Sequence, residues 1–188
     1  MIGNDLVDLT QAQLESNWRR KGYLDKIYTP EEQELILNSQ VPDSMLWLLW
    51  TMKEAAYKIV NRFTGIRNYS PLSFICTDLT TDELQASGYV IYRQNKFIIK
   101  STISARLIHS AAVCKAEDLN TLMLHYLKNH PYYQEEFNSL DLGYQLLKSK
   151  AGLPQLIHTP TGNRHAVSVS HHGEHLAIIY SDSLLLTD

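Results

Sequence analysis

Two carboxylates stand where acidic side chains are unexpected, and two lysines accompany one of them. Asp5 interrupts a short apolar segment at the start of the chain, and Glu54 lies at the edge of an amphipathic segment beside Lys53 and Lys58. A buried carboxylate without a partner is costly, so each acid needs a cation or a hydrogen-bond donor nearby. Taken singly, a salt bridge or a cap explains Asp5, and pairing with Lys58 four residues on explains Glu54.

Taken together, these four residues suggest a site for a diphosphate. Mg²⁺ is commonly held by one or two carboxylates, while phosphate oxygens and waters complete its octahedral shell. Lysine side chains beside such a site would neutralise phosphate oxygens. The sequence therefore predicts that Asp5 and Glu54 hold Mg²⁺ and that Lys53 and Lys58 lie beside the phosphates.

A histidine-rich segment near residue 172 offers a competing arrangement. His171 and His175 could bind Zn²⁺, which favours tetrahedral sites. Their neighbours alternate as in a β-strand, and Gly173 interrupts any helix that would bring both histidines to one face. Ser170 beside His171 suggests acyl transfer, but strand neighbours point to opposite faces. A zinc hydrolase that uses His171 and His175 is the third hypothesis, which the zinc content of the purified protein would test.

The surrounding elements must bring the candidate residues together. Apolar spacing predicts a strand over residues 2–9 and a helix over residues 44–63, closed by Gly65. Thr29, Pro30 and Glu32 form a capping-box pattern, which predicts a second helix that stops before Pro42. Segments rich in β-branched and aromatic residues predict strands at 73–77, 89–93, 96–101, 106–115, 155–158, 166–170 and 176–181. Two more helices are expected at 119–127 and 142–150.

The two ends of the chain share a short similarity. Residues 102–104 and 108–113 align with residues 168–170 and 174–179, and both pairs read as strand, turn and strand. This predicts a weak internal repeat, although two unrelated hairpins would also produce so short a match. We expect an α+β fold in which an antiparallel sheet packs on a long helix. A larger half would cover residues 1–128 and a reduced half residues 129–188.

The composition limits the classes of function. The formal net charge of −3 gives no sign of bulk affinity for nucleic acid or acidic membranes. The two cysteines do not suggest a disulfide-built secreted domain, and no apolar run reaches the roughly 18 residues of a membrane span. The first residues lack the features of a signal peptide. We therefore expect a cytoplasmic protein without nucleic-acid or membrane partners, whose basic surface is local and is drawn from Lys53, Lys58, Arg62, Arg67 and Arg164.

Three segments of the chain resemble the 4′-phosphopantetheinyl transferases. Gly3-Asn4-Asp5-Leu6-Val7-Asp8 is similar to the family's Gly-x-Asp strand motif, in the form found in holo-acyl-carrier-protein synthases. Residues 50–58 match the Trp-x-x-Lys-Glu-Ala/Ser-x-x-Lys helix motif at every defined position. Ser168-Val169-Ser170-His171 matches the Ser-x-Ser-His motif. The helix motif is the most specific of the three.

The resemblance implies transfer of the 4′-phosphopantetheine arm of coenzyme A to a serine of an acyl or peptidyl carrier protein, with release of 3′,5′-ADP. Mg²⁺ would be the cofactor, coenzyme A the substrate and the carrier the protein partner. Fatty-acid, polyketide and nonribosomal-peptide carriers all remain open. The resemblance implies that Asp5 and Glu54 are the metal ligands and that Asp5, Glu54 and Lys58 take part in catalysis. It also implies that coenzyme A is contacted, or the site shaped, by Lys53, Lys58, Ser170 and His171.

The chain departs from the family pattern in three places. Val7 stands where larger members have a second acid, whereas Asp8 fits the shorter type and would reach the metal through water. The family's Gly-Lys-Pro element has no clean match, since Gly152-Leu153-Pro154 lacks the lysine, and Arg164 is the candidate substitute. The Ser-His segment comes last, as in the short type, whose sites form between subunits. A monomer or a small homo-oligomer could therefore complete the site, and a non-catalytic module that binds coenzyme A or a carrier is the alternative function.

Overall fold

A computed structural model describes residues 1–65, 67–149 and 152–186 of the chain. Within these ranges the backbone forms two five-stranded antiparallel sheets and four α-helices, an α+β fold as the sequence predicts. The first sheet contains β1 (Ile2–Asp8), β2 (Ile75–Thr81), β3 (Gln85–Tyr92), β4 (Asn95–Ile103) and β5 (Leu107–Val113). The second contains β6 (Leu122–Lys128), β7 (Tyr144–Lys148), β8 (Pro154–His158), β9 (Arg164–His172) and β10 (His175–Leu185). The helices are α1 (Leu9–Glu15), α2 (Pro30–Leu37), α3 (Pro42–Thr64) and α4 (Tyr133–Ser139).

The two sheets have the same strand order. The first runs β1-β5-β4-β3-β2 and the second runs β6-β10-β9-β8-β7. The hairpins β4–β5 and β9–β10, which contain the similar sequence segments, occupy equivalent places. Three helices separate β1 from β2, whereas the short α4 separates β6 from β7, so the second unit is the reduced one. The shared strand order is the one expected of a duplicated unit, and the first strand of the second sheet begins at Leu122.

Local sequence signals set the two main helices. Helix α2 begins with the expected capping box, in which Thr29 N donates to Glu32 Oε2 at 2.9 Å and Glu32 N donates to Thr29 Oγ1 at 3.3 Å. Helix α3 begins at Pro42, two residues before the expected start, because proline is well tolerated in a first helical turn. It ends at Thr64 and is followed by the cap residue Gly65, whose φ of 69° is the left-handed conformation that glycine adopts readily.

Helix α3 packs its apolar face on the first sheet and forms most of the larger core. Leu46, Leu49, Met52, Ala56 and Ile59 are fully buried on this face. No helix in the described part of the chain is long and apolar enough to span a membrane. A smaller core under the second sheet surrounds the Phe137 side chain of α4. The two sheets meet where β1 packs against β9 and β10, so residues from opposite ends of the chain become neighbours.

Two expected helices are strands in the structure. The segment 119–127 contains the end of a 3₁₀ turn and then β6, and the segment 142–150 contains β7. Pairing of β6 with β10 and of β7 with β8 satisfies their backbone groups and outweighs local helix propensity. Residue 150 itself lies outside the described residues. Helices α1 and α4 were not predicted, because seven residues are too few to give a clear periodic pattern.

Gly3 permits the close approach of β1 to α3. A Cβ added at this position would lie 2.1 Å from the backbone oxygen of Ala55 and 3.1 Å from a side-chain carbon of Ile59. Because backbone blocks the added atom, Gly3→Ala must push the strand away from the helix. We expect the free energy of unfolding, measured by urea denaturation, to fall by about 2 kcal/mol or more. A loss below about 0.5 kcal/mol would contradict this packing.

Candidate active site

Asp5 lies in the middle of β1, and its carboxylate pairs with Lys58 of α3. Lys58 Nζ is 3.0 Å from Asp5 Oδ1 and also donates to Asn4 O at 2.7 Å and to Val169 O at 3.4 Å. Val169 belongs to β9, so one ammonium group joins α3 to both sheets. Burial raises the pKa of Asp5, and the charge of Lys58 opposes this rise. The pairing of Lys58 with Glu54 that helical spacing suggests is therefore not formed. Lys58 instead pairs with Asp5 and contacts Val169 of the second sheet.

Glu54 lies one helical turn before Lys58 and faces the same cavity as Asp5. Burial and then the negative charge of Asp5 raise the pKa of Glu54 to about 7, while Lys58 acts in the opposite direction. Two carboxylates in one partly buried site repel each other, and a divalent cation would remove that repulsion. Their hard oxygen ligands suit Mg²⁺. Since no group of three metal-binding side chains is found among the described residues, water and phosphate oxygens would supply the other ligands.

A cavity of about 450 Å³ opens onto the two carboxylates, and we call it the carboxylate cavity. It lies between β1, α3 and the end of β9. Burial, followed by the charge of Lys58, lowers the pKa of His171, which favours its neutral imidazole. The structure thus brings His171 together with the carboxylates from the other end of the sequence. Side chains that line this cavity include Asp5, Tyr23, Trp50, Glu54, His171 and His172.

A second cavity, of about 400 Å³, is lined by Lys58, whose ammonium group pairs with Asp5 of the carboxylate cavity, and we call it the basic cavity. Arg62, Arg67 and the segment Gly152–Pro154 also line it. Arg62 Nη2 donates to Pro154 O at 3.1 Å and to Val167 O at 2.8 Å, which ties the second sheet to α3. Lys58, Arg62 and Arg67 give this cavity the positive charge that a phosphate-bearing ligand requires.

Lys53 lines neither cavity. It is fully buried, and its Nζ forms an ion pair with Glu32 Oε2 at 2.6 Å. The same group donates to Ile27 O at 3.0 Å and to Pro71 O at 3.2 Å. These contacts use all three ammonium donors, so none is left for a phosphate, and they anchor α3 to the segments that contain Ile27, Glu32 and Pro71. The sequence could have indicated this burial, because Lys53 lies four residues after Leu49 and therefore on the buried face of the helix.

Ser170 and Arg164 also lie away from both cavities. The buried Ser170 Oγ accepts a hydrogen bond from Asn4 Nδ2 at 2.9 Å. Because neighbours in a strand point to opposite faces, Ser170 faces the interior when His171 faces the cavity. Arg164 is the first residue of β9 and pairs with Ile157 of β8. Of these three predicted contact residues, His171 lines the carboxylate cavity, whereas Ser170 and Arg164 line neither cavity.

Asp8 caps helix α1 rather than facing the carboxylate cavity. Its Oδ1 accepts two backbone N–H groups at the start of α1, and its own N–H donates to His172 Nδ1 at 3.0 Å. Its Oδ2 lies 3.7 Å from His175 Nε2. In the β9–β10 hairpin, His172 is opposite His175, whereas His171 is opposite Leu176. His171 and His175 therefore point to opposite faces, which removes the support for a zinc site between them.

A polar network around Asn4 was missed by sequence reasoning. Asn4 N donates to Ser168 Oγ at 3.1 Å, and Asn4 Nδ2 contacts Ser170 Oγ and His109 Nε2. Burial lowers the pKa of His109 to about 4, so this histidine is neutral at physiological pH. The network links β1 to β5 and β9 directly beside Asp5. The sequence could have indicated this network, because Asn4 is a polar residue at an inward-facing position of an apolar strand.

A family model matches the part of the chain that carries both carboxylates. The 4′-phosphopantetheinyl transferase superfamily model covers residues 1–115 of 188. This region includes Asp5, Glu54 and Lys58, whereas His171 and the second sheet lie outside it. No curated protein gives a significant match to the chain. Because the family match covers more than half of its length, the chain belongs to the 4′-phosphopantetheinyl transferase superfamily.

Proposed function

We propose that the protein transfers the 4′-phosphopantetheine arm of coenzyme A to a serine of an acyl or peptidyl carrier protein. Superfamily membership supports phosphopantetheine transfer in general. The observation that carries the specific proposal is the shared cavity of Asp5 and Glu54, with Lys58 between it and the basic cavity. A carboxylate pair that Lys58 links to a cavity with two arginines has the charge arrangement that Mg²⁺ and a diphosphate need.

The proposed reaction exchanges one phosphorus–oxygen bond for another. The carrier serine oxygen bonds to the β-phosphorus of coenzyme A, the bond to 3′,5′-ADP breaks, and the serine proton passes to a base. Glu54 is the carboxylate best placed to accept this proton, because Asp5 is already paired with Lys58. Bound Mg²⁺ would offset charge on the phosphate oxygens. Transfer of this kind depends mainly on positioning and charge stabilisation.

Coenzyme A would lie across the two cavities, with its phosphates on the basic side. Lys58, Arg62 and Arg67 would contact these phosphates, and His171 would contact the diphosphate from β9. All of these side chains belong to one chain and line two cavities that the Lys58–Asp5 ion pair links. We therefore propose one complete site per chain, with Mg²⁺ held by Asp5 and Glu54.

Arg67 and Arg164 provide a matched test of this placement. Arg67 lines the basic cavity, whereas Arg164 lines neither cavity. Arg67→Ala should weaken coenzyme A binding about tenfold, because a charged hydrogen bond to phosphate is lost. Arg164→Ala should leave the affinity unchanged. Calorimetric titration would measure the affinity of each variant for coenzyme A. An equal loss of affinity in the two variants would contradict the placement.

Product formation separates the proposed enzyme from a binding module. The protein would be incubated with coenzyme A, Mg²⁺ and a panel of apo carriers from fatty-acid, polyketide and nonribosomal-peptide synthesis, and 3′,5′-ADP would be measured. We expect one molecule of 3′,5′-ADP for each carrier serine that is modified. Coenzyme A binding without ADP formation on any carrier would favour the non-catalytic alternative. That alternative is motivated by the missing Gly-Lys-Pro element and by the small second half of the chain.

A further inference from the structure

The Tyr69 hydroxyl is buried beside the carboxylate site without a hydrogen-bond partner. Among the side chains that the structure describes, this atom and Asn4 Oδ1 are the buried polar atoms left unsatisfied. Buried polar groups in proteins are usually hydrogen-bonded, because leaving one unpaired is unfavourable. An unpaired hydroxyl next to a candidate active site therefore points to a partner that is acquired in another state.

The Tyr69 ring packs on the face of α3 that carries Glu54. Its centroid lies 5.7 Å from the Trp50 ring and 4.7 Å from the Tyr57 ring. These residues are four positions before and three positions after Glu54, so they are its neighbours on one helical face. Phe74 contacts the same ring at 5.7 Å. Three aromatic contacts thus hold Tyr69 against the part of the helix that presents Glu54.

The hydroxyl also lies within the electrostatic field of both carboxylates. Burial and then the negative charges of Glu54 and Asp5 raise the pKa of Tyr69 far above its usual value, so Tyr69 keeps its proton and can only donate from it. Among the described residues, no hydrogen-bond donor reaches the Glu54 carboxylate. A fixed donor and an unpaired acceptor therefore lie on the same face of α3.

We infer that Tyr69 is a positioning residue for Glu54, whose ionised carboxylate would accept the Tyr69 hydrogen bond when it binds a divalent cation. The inference rests on the proposed function in assigning a cation to Glu54. Carboxylates that bind metals are usually oriented by such hydrogen bonds, and loss of the donor weakens metal binding. A hydrogen bond to an ionised acceptor is also stronger than one between neutral groups.

Tyr69→Phe keeps the ring and removes the hydroxyl, so its two expected effects have opposite signs. Without ligand, Tm should stay equal or rise, because an unsatisfied buried group is removed. In the presence of coenzyme A, Mn²⁺ affinity should fall about tenfold, measured by calorimetry and by electron paramagnetic resonance. The kcat for transfer should fall, while the KM for the carrier should not change.

Tyr28→Phe is the matched control. The buried Tyr28 hydroxyl donates to Leu46 O at 2.9 Å, so its removal should lower Tm and leave Mn²⁺ affinity unchanged. A lower Tm with unchanged Mn²⁺ affinity in Tyr69→Phe would assign Tyr69 a purely structural role and overturn the inference. A wild-type protein that binds no Mn²⁺ would also overturn it. A wild-type protein that binds Mn²⁺ and coenzyme A but modifies no carrier would contradict the proposed function. A tenfold Mn²⁺ difference would still support the role of Tyr69 in that case.

Discussion

Glu54→Gln is expected to slow phosphopantetheine transfer by about a hundredfold or more while the fold stays intact. The substitution preserves size but removes both a metal-binding charge and the group that we propose accepts the serine proton, a step worth about 10²–10⁴ in rate. Burial and then the charge of Asp5 disfavour ionisation of Glu54, so the neutral amide removes an unfavourable charge rather than a stabilising contact. Initial rates of holo-carrier formation would measure the loss.

Glu34→Gln is the control for the Glu54 experiment. Glu34 is exposed on α2, so the same chemical change there should leave the rate unchanged. Asp5→Asn should also slow transfer, because Asp5 is the other carboxylate of the cavity. Full activity in both Glu54→Gln and Asp5→Asn would contradict the assignment of the site.

Lys53→Met is expected to destabilise the protein by about 3–5 kcal/mol, because it leaves the Glu32 carboxylate buried without its cation. The two side chains are 0% and 1% exposed, so water cannot replace the lost partner. Glu32 Oε1 also accepts a hydrogen bond from Cys76 N at 2.8 Å, which ties the pair to β2. Denaturant unfolding would measure the loss of stability.

A double variant separates the structural role of Lys53 from a substrate role. Glu32→Gln with Lys53→Met removes both charges and should recover part of the stability that Lys53→Met loses, since the two residues are coupled. If Lys53 instead bound coenzyme A phosphates, Lys53→Met would keep its stability and lose coenzyme A affinity. That second pattern would contradict the structural assignment.

The parts of the fold that the sequence predicts are those with local signals. The capping box at Thr29 and the apolar spacing of α3 each depend on residues a few positions apart, so their elements could be identified directly. Strands β6 and β7 depend on pairing with β10 and β8, which lie far away in sequence. Their leucine-rich segments satisfy a helical pattern equally well, and only the pairing decides between the two.

The candidate site also contains residues that local sequence signals identify and residues whose placement depends on long-range packing. Asp5 was identifiable because a carboxylate interrupts an apolar strand, and Glu54 because it flanks the buried face of α3. Motif similarity grouped Lys53 and Ser170 with the site, but helical spacing and strand alternation turn both side chains toward the interior. Tyr69 carries no sequence signal of its own, because its relation to Glu54 arises from packing after the helix ends.

The intact mass of a carrier protein tests the central claim most directly. An apo carrier would be incubated with the protein, coenzyme A and Mg²⁺, and then analysed by mass spectrometry with fragmentation to locate the modified residue. We predict a mass increase of one phosphopantetheine on a single serine, and no increase when Glu54→Gln replaces the wild-type protein. The account would be contradicted if the wild-type protein left unmodified every carrier that an active transferase converts under the same conditions.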